Sequence, residues 1–129
     1  MIVLDLPYPP SVNHMYVNGR GRRFPNAKAR KYKIAVQEYV AEFRVPKLGS
    51  EKLSVVIWAY PPDKRKRDIS NLLKIIEDSL QDAGVFDDDF NIDAIEIKRC
   101  EVVKNGKLKV FIDSITSTSS EANPPAGDS

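Results

Sequence analysis

With 129 residues the chain has room for one hydrophobic core, which at this length buries about two-thirds of the unfolded surface, and none for a second. Twenty Lys and Arg against eighteen Asp and Glu leave a net charge of only +2, which excludes a uniformly basic nucleic-acid coat. The single cysteine, Cys100, excludes an intramolecular disulfide, and the single histidine, His14, excludes histidine triads and multi-histidine metal centres.

Residues 2–6 read as a short strand, after which Pro7, Pro9 and Pro10 force an extended path. From there to Phe24 the sequence reads as a loop. It carries Asn13, His14, Tyr16 and the glycine-flanked Arg20, Arg22 and Arg23, a composition suited to lying on a nucleic-acid backbone. Asn26 is placed to cap a helix that runs to about residue 43, with Tyr32, Val36, Tyr39, Val40 and Phe43 on its core face. Lys28, Arg30, Lys31 and Lys33 crowd its first two turns, where cations oppose the helix dipole and a bound phosphate would offset the cost. Pro46, Gly49 and Ser50 mark a loop. Residues 53–60 are the most β-prone run in the chain, a central strand ended by Pro61 and Pro62.

That strand delivers the chain into four consecutive cations, Lys64, Arg65, Lys66 and Arg67, which run straight into Asp68. A strongly amphipathic helix follows over residues 69–83: Ile69, Leu72, Leu73, Ile76, Leu80 and Ala83 collect within roughly 100° of arc. Asn71, Lys74 and Asp78 stand on the opposite side, facing water or a ligand. Lys74 and Asp78 are also an i, i+4 pair of the kind that more often decorates a solvated face. Asp68 or Ser70 can cap the first turn, and Gly84 can take the left-handed conformation that ends a helix. Three carboxylates, Asp87, Asp88 and Asp89, come next. Residues 92–103 and 107–115 then read as two antiparallel strands joined at Asn105-Gly106, with Leu108, Val110 and Ile112 turned to the core and Cys100 as a filler residue.

The expected order is thus β-α-β-α-β-β, a single small α+β domain over residues 1–116 around a small mixed sheet. The tail 117–129, rich in Ser and Pro and without large apolar residues, is expected to be disordered. No apolar run approaches the ~18 residues of a membrane span, and no signal peptide is visible, so a cytoplasmic setting without a membrane is expected. A glycine-rich nucleotide loop and zinc spacing are absent, which argues against a nucleotide cofactor.

Charge is distributed unevenly. Between Asp5 and Glu38 there is no acid and there are seven cations, while half of the eighteen acids lie between Glu77 and Glu101. Such separation is the footprint of a phosphate-binding surface beside a metal site.

A basic run, then Asp68-Ile69-Ser70-Asn71-Leu72-Leu73-Lys74 opening a helix, then Ala83-Gly84-Val85-Phe86-Asp87-Asp88-Asp89 beyond it, resembles the RusA family of Holliday-junction resolvases. That family's pattern is a basic segment, Asp-x-Asp-Asn-x-x-Lys on a helix, and an acidic residue in an Asp-Asp pair after it. The opening Leu6-Pro7-Tyr8-Pro9-Pro10-Ser11-Val12-Asn13 is similar to the family's N-terminal motif, so the likeness spans nearly everything before the tail. The resemblance implies a homodimeric, Mg²⁺-dependent (alternatively Mn²⁺-dependent) endodeoxyribonuclease of bacterial, phage or prophage origin. Such an enzyme resolves four-way DNA junctions by paired phosphodiester hydrolysis in recombination and repair. It further implies Asp68, Lys74 and Asp89 as catalytic residues, with Asp68, Asp89, Ser70 and Asp88 about the metal. Arg20, Arg22, Arg23, Lys64, Arg65, Lys66, Arg67, Asn71 and Asn13 would lie against the DNA.

Ser70 departs from the pattern, standing where the family has a second aspartate, and a hydroxyl is a weaker ligand for a hard divalent cation. Either Asp87 and Asp88 make up the charge, or metal is held less tightly, or the chain is a non-catalytic dimer that binds branched DNA. Geometry adds a question, because a helix over 69–83 is about 22 Å long and sets Asp68 far from the acidic loop. Either residues 84–89 run back along the helix, the favoured arrangement, or antiparallel helices across a dimer axis bring one subunit's Asp89 to the other's Asp68.

Overall fold

The computed structural model describes residues 1–10, 16–19, 22–25, 27–66 and 68–115, the segments 16–19 and 22–25 by their backbone. Asn13, His14, Arg20, Asn26, Arg67 and the 117–129 tail, on which expectations were placed, lie outside them. The elements run β1 (Ile2–Leu6), β2 (Tyr16–Gly19), β3 (Arg22–Pro25), α1 (Ala27–Glu42), β4 (Leu53–Tyr60), α2 (Ile69–Asp82), β5 (Ile92–Arg99) and β6 (Lys107–Ser114). Four strands form a mixed sheet in the order β1-β6-β4-β5, and the α+β reading stands.

One core explains the arrangement. Alternate residues of β1, β4 and β6 (Leu4 and Leu6; Leu53, Val55, Ile57 and Ala59; Leu108, Val110 and Ile112) are buried with Ala29, Tyr32, Val36 and Val40 of α1 and Leu72, Ile75, Ile76 and Leu80 of α2. Both helices therefore cover the same face of the sheet, as the period-2 pattern of the strands requires. Two tyrosines of α1 fasten β1 and the proline segment after it. The buried Tyr32 hydroxyl donates to the Pro7 carbonyl at 2.8 Å, and the Tyr39 oxygen accepts from the Asp5 amide at 3.0 Å. Lys33 of α1 reaches Asp82 of α2 at 2.9 Å, so at least one of the crowded helix-start cations serves helix pairing.

Four expectations need correction. Residues 16–25 contain an antiparallel two-strand ribbon instead of a plain loop, with Gly19 opposite Arg22 and only residues 20–21 between them, a two-residue hairpin length. Phe43, expected in the core, is 60% exposed, its ring lying against that of Tyr39 with centroids 4.5 Å apart. Ile75 and Ser79, absent from the expected core face of α2, are buried: α1 packs along its flank and widens the covered arc.

The largest correction concerns β5 and β6, which do not pair. β5 ends at Arg99 and lies parallel to β4 at the sheet edge, whereas β6 inserts antiparallel between β4 and β1. A helix of fourteen residues between two strands is the length of a parallel crossover, and this signal outweighs the turn residues. The turn chemistry itself is real. Asn105 and Gly106 both have positive φ, and the Gly106 amide closes onto the Val103 carbonyl at 2.7 Å.

The two glycines that matter most differ in what surrounds them. Gly84 (φ +82°) has open space apart from the Lys47 side chain, so an added Cβ meets only conformational strain; Gly106 (φ +69°) would put a Cβ 2.8 Å from that of Tyr8 and 3.0 Å from Pro62 Cδ. Gly84→Ala is expected to cost about 1–2 kcal/mol in urea unfolding, and Gly106→Ala distinctly more. Equal losses would show that the contact at Tyr8 yields freely.

Candidate functional site

Because β4 and β5 are parallel, both end at the same edge of the sheet, and α2 begins there. Asp68 is the N-cap of α2, in extended conformation (φ −89°, ψ 122°). The Ser70 hydroxyl donates to Asp68 Oδ1 at 2.7 Å and the Ser70 amide donates to the same oxygen at 3.0 Å. These two bonds are the main reason the carboxyl lies below the usual range; the Asn71 amide and the Arg99 guanidinium charge add to them. A small, solvent-open cleft lies beside it, lined by Tyr8, Ala59, Asp68, Ile69, Leu72 and Arg99. Lys64, Arg65 and Lys66 are exposed on the approach to Asp68, with Arg65 also bonded to Asp63 through its amide (2.9 Å) and its guanidinium (3.2 Å).

The acidic segment sits at the other end of α2. Gly84 turns the chain, and Val85 and Phe86 then plug into the core at 0% and 1% exposure. Hydrogen bonds fix the path of the segment: Leu48 amide to Val85 carbonyl (2.8 Å), Asp87 amide to Gly49 carbonyl (2.9 Å), and the buried Asn91 side-chain amide to Gly49 carbonyl (2.8 Å). Asp88 caps a short 3-10 turn, Asp89–Asn91, accepting from the Phe90 amide at 3.0 Å. The Asp89 amide in turn donates to Gln81 Oε1 at 3.2 Å.

That last bond sets how far the chain returns along the helix. Residues 84–89 do run back, and Asp89 joins a polar stripe of α2 made by Lys74, Glu77, Asp78 and Gln81, spaced i, i+3, i+4 and i+7. The Phe90 amide pulls the Asp88 carboxyl down. Asp89 is pushed up, mostly by sharing a hydrogen bond with Asp88, then by desolvation and by the charges of Asp88 and Asp78, with Lys74 working the other way. Burial raises Glu77, aided by Asp89 and Asp78, and Lys74 again opposes.

Lys74 therefore stands with Asp89, and Ser70 and Asn71 stand with Asp68. Asp68 is at the start of α2, and Asp89 lies beside the stripe of residues 74–81 farther along it. Among the described residues no three His, Cys, Asp or Glu side chains are grouped to hold a metal ion. Arg22 and Arg23 belong to β3, on the ribbon. Sequence reasoning missed Arg99, Tyr8, Glu77 and Asn91. Glu77 was legible as the i+3 neighbour of Lys74; Arg99, thirty-one residues beyond Asp68, depended on the parallel pairing that was read as a hairpin.

Comparison with known proteins bears on this geometry. A family model described as Endodeoxyribonuclease RusA matches residues 7–113. A crossover junction endodeoxyribonuclease from Enterobacteria phage HK97 is 33% identical over 112 residues, 87% of this chain and 93% of the relative. The protein of the same description from Escherichia coli K12 is 30% identical over 109 residues, 84% and 91% respectively, as is that of Enterobacteria phage 82.

The carboxyl environments predict an order of titration. In carboxyl-detected NMR of the metal-free protein, Asp68 and Asp88 should titrate below the ordinary aspartate range and Asp89 and Glu77 above theirs. Lys74→Gln should raise Asp89 and Glu77 further. Ionised Asp68 then favours the fold above its unfolded pKa, a contribution lost as pH falls through the folded value, whereas ionised Asp89 opposes it. An Asp89 that titrates at or below Asp88 would contradict the shared hydrogen bond.

Proposed function

We propose that this chain, which belongs to the RusA family of endodeoxyribonucleases, cuts four-way DNA junctions as a two-fold homodimer whose two active sites are each shared between subunits. The observation that carries the reading is the placement of the motif carboxylates. Asp68 and Asp89 are both exposed and both fixed by local hydrogen bonds, Asp68 at the start of α2 and Asp89 returned only as far as the stripe of residues 74–81, and among the described residues of one chain no three acidic side chains are grouped to hold a metal. One chain offers Asp68 at the helix start and the pair of Asp88 and Asp89 beside that stripe. An antiparallel pair of such helices about a C2 axis would bring each Asp68 to a partner's Asp88 and Asp89, and a junction cut on two opposed strands calls for two such centres.

Carboxylate oxygens are the hard donors that Mg²⁺ or Mn²⁺ takes, and the low-lying Asp68 stays ionised to provide one. Bound there, the metal would supply an activated water and screen charge building on phosphorus. The chain's own residues do the rest. Ser70 spends its hydroxyl on Asp68 Oδ1, which makes it an orienting group for that carboxylate instead of a ligand, the role of second-sphere hydrogen bonds around metal centres. Lys74 offsets the charge of Asp89 and Glu77 and can meet a phosphate oxygen. Lys64, Arg65, Lys66 and Arg67, with Arg20, Arg22, Arg23, Asn13 and Asn71, hold the arms through contacts that position without reading sequence.

The alternative, a dimer that binds branched DNA without cutting it, draws on the same Ser70 observation. Incubation with a synthetic four-way junction and with linear duplex, with and without Mg²⁺, separates the two. Paired nicks confined to the junction support the enzyme; tight binding without cleavage in either Mg²⁺ or Mn²⁺ supports the binder.

Asp68→Asn and Asp89→Asn should each lower cleavage by on the order of 10²-fold or more, since metal stabilisation is worth several kcal/mol, while junction binding persists. Mixing the two variants should recover nicking of a single strand, because a heterodimer with shared sites regenerates one intact centre. A mixture as dead as its parents would locate each site within one chain.

Ser70→Asp adds a ligand beside Asp68 and should move the Mg²⁺ midpoint of the cleavage rate to lower concentration. It also sets two like charges together and removes the hydroxyl donor, so the metal-free variant should be less stable above the carboxyl range. An unchanged midpoint and maximum rate would mean that other groups already fill the position.

A further inference from the structure

Arg99 is the last residue of β5, level with Ala59 in the parallel ladder, and its position is fixed from several sides. The Cys100 amide bonds the Ala59 carbonyl at 2.8 Å and the Val103 amide bonds the Pro61 carbonyl at 2.9 Å, so the chain beyond β5 is laced to the end of β4. Tyr8 also lines the cleft and packs against the 103–106 turn so closely that a Cβ on Gly106 would overlap it. Of the six residues that line the cleft, Asp68 and Arg99 are the two charged ones. One comes from the start of α2, the other from a strand end that only the crossover brings alongside.

We propose that Arg99 binds the reacting phosphate in the Asp68 cleft. This rests on the reading of Asp68 given above, and it extends that reading to a substrate-binding residue outside the local motif. A phosphodiester held between a cation on Asp68 and the Arg99 guanidinium completes an alternation of charge: carboxylate, cation, phosphate, guanidinium. The planar fork of an arginine suits two phosphate oxygens, whereas lysine offers a point charge. Placement matters as much as chemistry. Lys64, Arg65 and Lys66 are exposed on an irregular segment, but Arg99 extends from a paired strand, which is the more exact platform for a group acting at the bond being cut. A guanidinium opposite developing negative charge lowers the barrier most where it needs no reorganisation.

The test uses the full chain with Arg99→Gln and Arg99→Lys, and has two readouts on a synthetic four-way junction. Junction affinity over a salt series, with Ca²⁺ in place of Mg²⁺, counts phosphate contacts; single-turnover cleavage at saturating protein in Mg²⁺ reports on the reacting bond. Arg99→Gln should flatten the log-log salt slope by about 0.9 and slow cleavage by about 10²-fold. Arg99→Lys should keep the slope and recover only part of the rate. An unaltered slope overturns the proposal, even if the rate falls, because Arg99 would then act only by positioning Asp68. A flattened slope with wild-type cleavage also overturns it, placing the contact on a junction arm. If the wild-type chain cuts no junction in any metal, the nuclease reading fails while the salt slope still decides whether Arg99 holds phosphate.

Discussion

Fourteen residues of α-helix form a rod about 21 Å long that does not bend to suit a ligand, and most of this fold follows from where that rod lies. Its apolar flank, with Leu72, Ile75, Ile76 and Leu80 almost fully buried, fastens it across the sheet and against α1. Its length carries the chain from the end of β4 back to the start of β5, which makes those strands parallel and sends their ends to one edge. Its two termini then fix the functional groups. The chain beyond it returns only as far as the stripe of residues 74–81, so Asp89 in the second half of the motif joins the middle of the rod while Asp68 in the first half stays at its start.

Each half is built so that the groups which stabilise it also prepare it for chemistry. Asp68 caps the helix by accepting from Ser70, and the same bonds hold the carboxyl low and ionised. At the far end, Val85 and Phe86 anchor the loop while Asp88 caps the 3-10 turn, so three consecutive acids are held in a defined path instead of repelling one another apart. The cost is visible in the raised carboxyls of Asp89 and Glu77. A cation arriving there would relieve the repulsion that raises them, as bound ions invert local titration behaviour.

How much of this was legible in the sequence depends on the range of the interaction. Residues 2–6, 53–60 and the body of α2 could be read because period and capping are local signals. An N-cap at Asp68 or Ser70, which the structure places at Asp68, and Gly84 as helix terminator are legible for the same reason. The pairing of β5 was not, since Asn105-Gly106 carries strong turn chemistry in either topology and only the competition between a crossover and a hairpin decides the partner. Everything that hangs on that pairing was hidden with it, Arg99 in the Asp68 cleft above all. The ribbon at 16–25 was obscured by composition, because glycine and arginine punctuate loops and hairpins alike.

Charge along α2 bears on how two such chains could meet. The helix has no basic residue in its last turn, where cations would complement the dipole, and that end is surrounded instead by Asp78, Asp82, Asp87, Asp88 and Asp89. Within the chain, Lys33 pairs with Asp82 and Lys74 faces Asp89. The other end carries the exposed cations that precede Asp68. A parallel pair of these helices would set acid against acid and base against base; an antiparallel pair would set the basic approach of each against the acidic end of the other. Under the proposed two-fold arrangement, the charge separation that makes a phosphate-binding surface therefore also selects the orientation in which the shared sites are complete. Like-charge repulsion in the wrong register disfavours the incomplete ones.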